Sequence, residues 1–258
     1  MEFLLDPNVW TAFLTLTFLE IVLGIDNVIF ISIVTNKLPE GKRKSATQIG
    51  LFLAMFMRIC MLFGITILMK MKTTLFVIDW GWFSAHFNGQ ALILLFGGIF
   101  LIWKSTKEIH EKVTHIENHT SPSVGQQVGK SFGNVIVQIL LIDLIFSLDS
   151  ILTAVGMTNN LSGALYIMIA AIIISVLVMM LFAMPISNFV NRNPSIQILA
   201  LSFLILIGFM LTTESMHLSE AKLFDEEIGA VPKGYLYFAI VFSLAVEFIN
   251  MRMRKKTS

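Results

Sequence analysis

The chain is 258 residues long, 56% hydrophobic and only 14% charged, with a mean hydropathy of +0.81 and a formal net charge of +1. That apolar share is well above the range of soluble domains, so the sequence describes an integral membrane protein, and six Pro, no low-complexity tract and the near-zero net charge argue against a disordered tail or a nucleic-acid surface. The single Cys60 excludes an intrachain disulfide and thiolate metal chemistry, and within its apolar segment it reads as a small buried hydrophobe.

The N-terminal MEFLLDP places acids where a signal peptide carries basic residues, and no small-residue cleavage site follows, so the first apolar run is expected to remain as a span. Stretches of about 20 apolar residues suffice to cross a bilayer. Seven are predicted, over residues 8–34, 48–69, 88–105, 133–157, 162–184, 195–213 and 234–251. The expected fold is thus an all-α membrane protein. It divides into a first three-helix repeat over 1–106, a cytoplasmic linker over 107–130 and a second three-helix repeat over 131–218. Residues 219–258 then form an extracytoplasmic loop, a seventh helix and a basic tail.

Lys and Arg are retained on the cytoplasmic side of a membrane. With the N-terminus outside, the inner segments collect Lys37, Lys42, Arg43, Lys44, Lys104, Lys107, Lys112, Lys130 and Arg192. They also collect the tail residues Arg252, Arg254, Lys255 and Lys256. The outer segments hold only Lys70, Lys72, Lys222 and Lys233. The expected orientation in the plasma (inner) membrane is N-terminus outside and C-terminus cytoplasmic.

The first and fourth spans carry the same polar pattern. EIVLGIDNVI, Glu20 to Ile29, aligns with DLIFSLDSIL, Asp143 to Leu152, matching Glu20 with Asp143, Gly24 with Ser147, Asp26 with Asp149 and Asn27 with Ser150. The third and sixth spans also align and set Lys104 opposite Glu214. Each half has an odd number of spans, so the second half enters from the opposite side, which makes an inverted repeat with its site expected near the midplane. A charged side chain at the bilayer centre costs about 2.5 to 3.5 kcal/mol, so four unpaired carboxylates would cost about 10 kcal/mol or more. They must be protonated, paired or bound to cations, and their repetition points to a cation or proton pathway.

Residues six apart are about 9 Å apart along a helix and about 120° around it, so Glu20 and Asp26 do not share a face. Antiparallel packing of the two spans is expected to set Glu20 level with Asp149 and Asp26 level with Asp143. Gly24, matched by Ser147, marks either a point where the helix opens its carbonyls or a close helix contact. Carboxylates with the amide of Asn27 and the hydroxyls of Ser147 and Ser150 form an all-oxygen set suited to Mg²⁺, Ca²⁺ or Mn²⁺. Neighbouring acids titrate together, which allows protons to exchange for metal. Arg58, mid-span, needs an acid from another helix, such as one of the site or Glu214, or else snorkels to an interface. Lys104 and Glu214 fall near helix ends, where interfacial anchoring competes with a supporting role. In the linker, His110, His115 and His119 with Glu108, Glu111 and Glu117 read as a solvated charged helix rather than a metal patch.

EIVLGIDNVIFI, GGIFLIWKSTKEIHE, LIDLIFSLDSILTAVGM and FSLAVEFINMRMRKK together resemble the TerC family of integral membrane proteins, and the likeness covers most of the chain. The family is named for tellurium resistance, and its better understood members are associated with Mn²⁺ efflux and with supplying metal to secreted enzymes. The resemblance implies a transporter rather than an enzyme, with a divalent cation, Mn²⁺ or else Ca²⁺, as cargo. It puts Glu20, Asp26, Asn27, Asp143, Asp149 and Ser150 on the family's polar motif positions. Two other readings compete: a membrane protein that hands metal to others, and an intramembrane aspartyl protease. LGID lacks the Gly-x-Gly-Asp form of such proteases.

Overall fold

Asp6 and Pro7 start the first helix by simple chemistry. The Asp6 carboxylate accepts a hydrogen bond from the Asn8 backbone N–H (2.9 Å), and Pro7 fills the first helical position, where no N–H is needed. A computed structural model of the chain describes residues 6–64, 73–117, 131–158, 161 and 163–257. The side chains of Asp26, Asp149, Leu152 and residues 115–117 and 254–257 lie outside the description.

The helices are α1 (Pro7–Thr35), α2 (Glu40–Phe63), α3 (Gly89–Glu117), α4 (Phe132–Thr158), α5 (Ala164–Arg192), α6 (Pro194–Leu218) and α7 (Lys233–Thr257). Among the described residues, seven helices are long and apolar enough to cross a membrane, in agreement with the expected number. Their ends depart from expectation in an informative way. The helix expected over 88–105 runs on to Glu117. Lys107, Glu108, Glu111 and Lys112 are good helix formers, and Lys104 pairs with Glu108 one turn on (Nζ–Oε2 3.9 Å), so the polar stretch begins as a continuation of the span rather than as a linker. The second helix begins at Glu40 rather than 48, directly after Pro39, and buries Ala46 and Thr47; its expected residues 65–69 lie outside the described chain. Helix α5 passes through Pro185 and ends at Arg192.

The chain divides into two compact units that cut across its halves: Met1–Ile67 with Gln126–Arg192, and Leu68–Gly125 with Asn193–Ser258. Each half therefore contributes its first two long helices to the first unit and its third to the second. In the first unit α1 packs chiefly on α5 and α2 on α4. A side chain on Gly24 would run into Met179, and a Cβ on Gly50 would come within 2.9 Å of Ile139 Cδ1. Gly24 sits within unbroken α1, so of its two expected roles it is close packing that is realised.

In the second unit α3 and α6 approach backbone to backbone. A Cβ on Gly98 would lie 2.6 Å from the Gly208 carbonyl oxygen, and one on Gly208 would lie 2.7 Å from that of Gly98. Ser215 Oγ donates to the Ala91 carbonyl (2.6 Å) further along the same seam. Small residues and interhelical hydrogen bonds of this kind replace the hydrophobic drive that lipid cannot supply.

The same unit carries strands that an all-helical reading does not contain. Strands β1 (Thr74–Asp79), β2 (Phe83–Asn88), β3 (Lys222–Leu223) and β4 (Glu226–Glu227) form an antiparallel sheet in that order. The β1–β2 turn is set by Gly81 at φ +80°, with the Asp79 carboxylate accepting from its N–H (3.1 Å). Ala85 and Phe87 pack with Ala91 and Ala221 at the foot of α3.

Outward faces of the helices carry large apolar side chains: Phe18, Phe56, Leu181 and Phe238 are all at least 60% exposed. Cys60 shares this exposure. It is therefore a lipid-facing residue and not the buried one its apolar context suggested, because a spanning helix is apolar on both its inward and its outward side.

Candidate functional site

Spacing by four and seven puts residues on one helix face. Glu20, Gly24 and Asn27 form such a stripe on α1, and Asp143, Ser147 and Ser150 form one on α4; all six are buried. Arg58 of α2, 4% exposed, reaches between them. Its Nη1 donates to Glu20 Oε2 (2.5 Å), and its Nη2 and Nε donate to Asp143 Oδ1 (2.5 and 3.2 Å), with Nε also 3.1 Å from Oδ2. One guanidinium thus joins the two equivalent acids of the motif. All three residues belong to the first compact unit.

The two carboxylates are held unequally. Asp143 also accepts from Ser147 Oγ (3.2 Å) and, more distantly, from Asn27 Nδ2 (3.5 Å). Glu20 accepts from Arg58 alone among the described residues. Ser150 turns its hydroxyl to the Ser147 carbonyl (3.3 Å), and the Asn27 side-chain oxygen is buried with no donor among the described residues. A narrow void borders Glu20, walled otherwise by apolar side chains that include Leu16, Leu62, Ile151 and Met168. Arg58, Glu20 and Asp143 sum to one excess negative charge when all are ionised. In a low-dielectric interior that excess attracts a cation or a proton.

The expected pairing of levels set Glu20 and Asp143 apart, whereas Asp143 lies near Asn27 (3.5 Å) and is also joined to Glu20 through Arg58. What the spacing did not contain is the bridge from Asp143 to Glu20, because Arg58 comes from a third helix. The side chains of Asp26 and Asp149 lie outside the described residues, and with them the expected carboxylate pairs. Among the described residues no three His, Cys, Asp or Glu side chains are grouped to hold a metal ion.

Of the supporting residues, Glu214 is not the partner of Arg58; it is half-buried on α6 of the second unit. Lys104, also in that unit, pairs with Glu108. Glu108 itself is 4% exposed, not solvated as its charged surroundings suggested, and nearby Lys112 donates to Gln197 Oε1. His115 and His119 fall outside the described side chains.

A second polar group, absent from the expected site, lies in the first unit. Ser32 of α1 donates to Ser187 Oγ of α5 (2.9 Å), and Asn191 Nδ2 approaches the same hydroxyl (3.4 Å). The side-chain oxygens of Asn191 and of Gln138 on α4 are buried without a donor among the described residues. The signal was present in the sequence: Ser187 and Asn191 are four apart, and Ser32 is five residues beyond Asn27.

A helical membrane protein with a buried charged cluster drawn from three spans is the class these features define. Residues 5–258 match the family described as "Integral membrane protein TerC family", and the chain belongs to that family. It is 48% identical over 251 residues to the UPF0053 inner membrane protein YgdQ of Escherichia coli K12, covering 97% of this chain and 96% of that one. It is 45% identical over 254 residues to a UPF0053 protein of Haemophilus influenzae Rd, covering 98% of each. The UPF0053 inner membrane protein YoaE of Escherichia coli K12 is 41% identical over 255 residues, which are 99% of this chain but 45% of YoaE. No solved structure matches the chain.

Proposed function

We propose that this protein is a secondary transporter of divalent metal cations, exporting Mn²⁺ across the inner membrane in exchange for protons, through a site built on Glu20, Asp26, Asn27, Asp143, Asp149 and Ser150. The observation that carries the reading is the convergence of the Glu20 and Asp143 carboxylates on Arg58, with Asn27 beside Asp143, in one buried cluster with excess negative charge. Buried charge is costly and is kept in membranes chiefly where ions or protons pass. Hard oxygen donors select Mg²⁺, Ca²⁺ and Mn²⁺ over soft metals, and the TerC likeness favours Mn²⁺ among them. The distribution of Lys and Arg supports an N-terminus outside and a C-terminus in the cytoplasm. Packing of α1 on α5 and of α2 on α4 supports two halves related by an approximate two-fold axis, since exchanging the halves turns the first contact into the second.

The test is flux in proteoliposomes. Mn²⁺ and Ca²⁺ movement is measured for the wild type, Glu20→Gln and Asp149→Asn, with and without a pH gradient. The expected outcome is metal flux driven by the gradient and reduced by about 100-fold or more in both variants, in line with the loss of a ligand group. Flux indifferent to both substitutions would sink the site, and metal binding without flux in the wild type would favour a metal-delivery role.

A further inference from the structure

We propose that Arg58 is a built-in counter-cation, which holds Glu20 and Asp143 while no cargo is bound and is displaced from them when a divalent cation enters. The inference rests on the reading of this cluster as the cargo site and adds how the site is kept when empty.

Mutual exclusion follows from the geometry. Arg58 Nη1 stands 2.5 Å from Glu20 Oε2, and Nη2 stands 2.5 Å from Asp143 Oδ1. A divalent cation needs carboxylate oxygens at about 2.0 to 2.6 Å. An ion placed there would meet the guanidinium in direct contact, with like charges and little solvent between them. Either the cation or Arg58 can hold these oxygens.

The unequal hold on the two acids gives the exchange a direction. Asp143 has three donor side chains, Arg58, Ser147 and Asn27, whereas Glu20 has Arg58 alone among the described residues. Glu20 also borders the void beside Leu16 and Ile151. The Glu20–Nη1 contact is therefore the first to give way.

A second, independent observation points to a ligand at the same place. The Asn27 side-chain oxygen is buried and lacks a donor, while its Nδ2 faces Asp143. Turning the amide over would set its oxygen against the carboxylate, so the orphaned acceptor is fixed by the charge beside it. It suits a cation, or a guanidinium that has moved.

The consequence is a metal-free site only one charge short of neutral. With Arg58 on both acids, a single proton taken up for the return suffices where two bare carboxylates would each need one.

Binding of radioactive Ca²⁺ is measured on the wild type and on Arg58→Gln and Arg58→Lys in nanodiscs, beside net flux and metal–metal exchange in proteoliposomes. Removing the competitor raises the fraction of binding-competent sites. Arg58→Gln is expected to bind at least about tenfold more tightly, to lose net flux and to keep exchange, with Arg58→Lys falling between. Equal or weaker binding by folded Arg58→Gln would overturn the proposal. Should that variant not fold, the guanidinium resonance of Arg58 is followed in isotope-labelled wild type during a Ca²⁺ titration. A shift that saturates with binding is expected, and an unchanged signal at saturation overturns the inference. Wild type that binds no metal defeats the cargo reading itself and the counter-cation with it, an outcome distinct from binding that ignores Arg58.

Discussion

Asp143 and Glu20 occupy equivalent places in the two motifs, yet their loss should be felt differently. Asp143 gathers Arg58, Ser147 and Asn27, so Asp143→Asn breaks a network, and removing one member of a buried pair costs about 3 to 5 kcal/mol. Glu20→Gln removes one contact and leaves Arg58 on Asp143. Denaturation in mixed detergent micelles should rank Asp143→Asn well below Glu20→Gln in stability, and equal losses would contradict the unequal hold. The sequence made the acids visible because carboxylates in apolar spans have no cheap explanation. It made the stripes visible too, through spacings of four and seven. It did not contain the meeting of Glu20 and Asp143 on Arg58. That depends on how three helices are rotated against one another, and an apolar surface on every side leaves the rotation undetermined.

Helix ends and seams are decided at the next scale by competition between composition and local chemistry. Hydropathy ends α3 near Lys104, but propensity and the Lys104–Glu108 pair carry it to Glu117. The hairpin TLFVIDWGWFSAHFN has the β-branched and aromatic content of a strand pair with a Gly turn, but its strands are too short to stand out among apolar runs of membrane length. At the α3–α6 seam, Gly98→Ala must displace backbone rather than a flexible side chain. The expected cost is about 1 to 3 kcal/mol, read as a lowered melting temperature, and Gly24→Ala, facing only the movable end of Met179, should cost less. Ser187→Ala removes one interhelical hydrogen bond and should cost about 0.5 to 1.5 kcal/mol in the same assay.

For the molecule as a whole, exposed apolar side chains on the spans require lipid around them. Cys60, the only cysteine, tests this directly. A nitroxide placed on it should relax with oxygen dissolved in the bilayer and ignore a water-soluble nickel chelate; the reverse pattern would place this face of α2 in water. The membrane class was plain from composition and the number of spans from the lengths of the apolar runs. The division into units was not, because helices distant in sequence pair by surface shape, as Gly98 does with Gly208. Arg58 finally bears on how the protein is made. Its partners lie 38 residues before it and 85 after it, so α1 and α2 leave the ribosome long before α4. Joined by a connection of only Asn36 to Pro39, these two helices can enter the bilayer as a hairpin in which Glu20 and Arg58 cancel one another. Asp143 then arrives as a late charge to a cation already in place, and the order of synthesis spares each acid from crossing the apolar core alone.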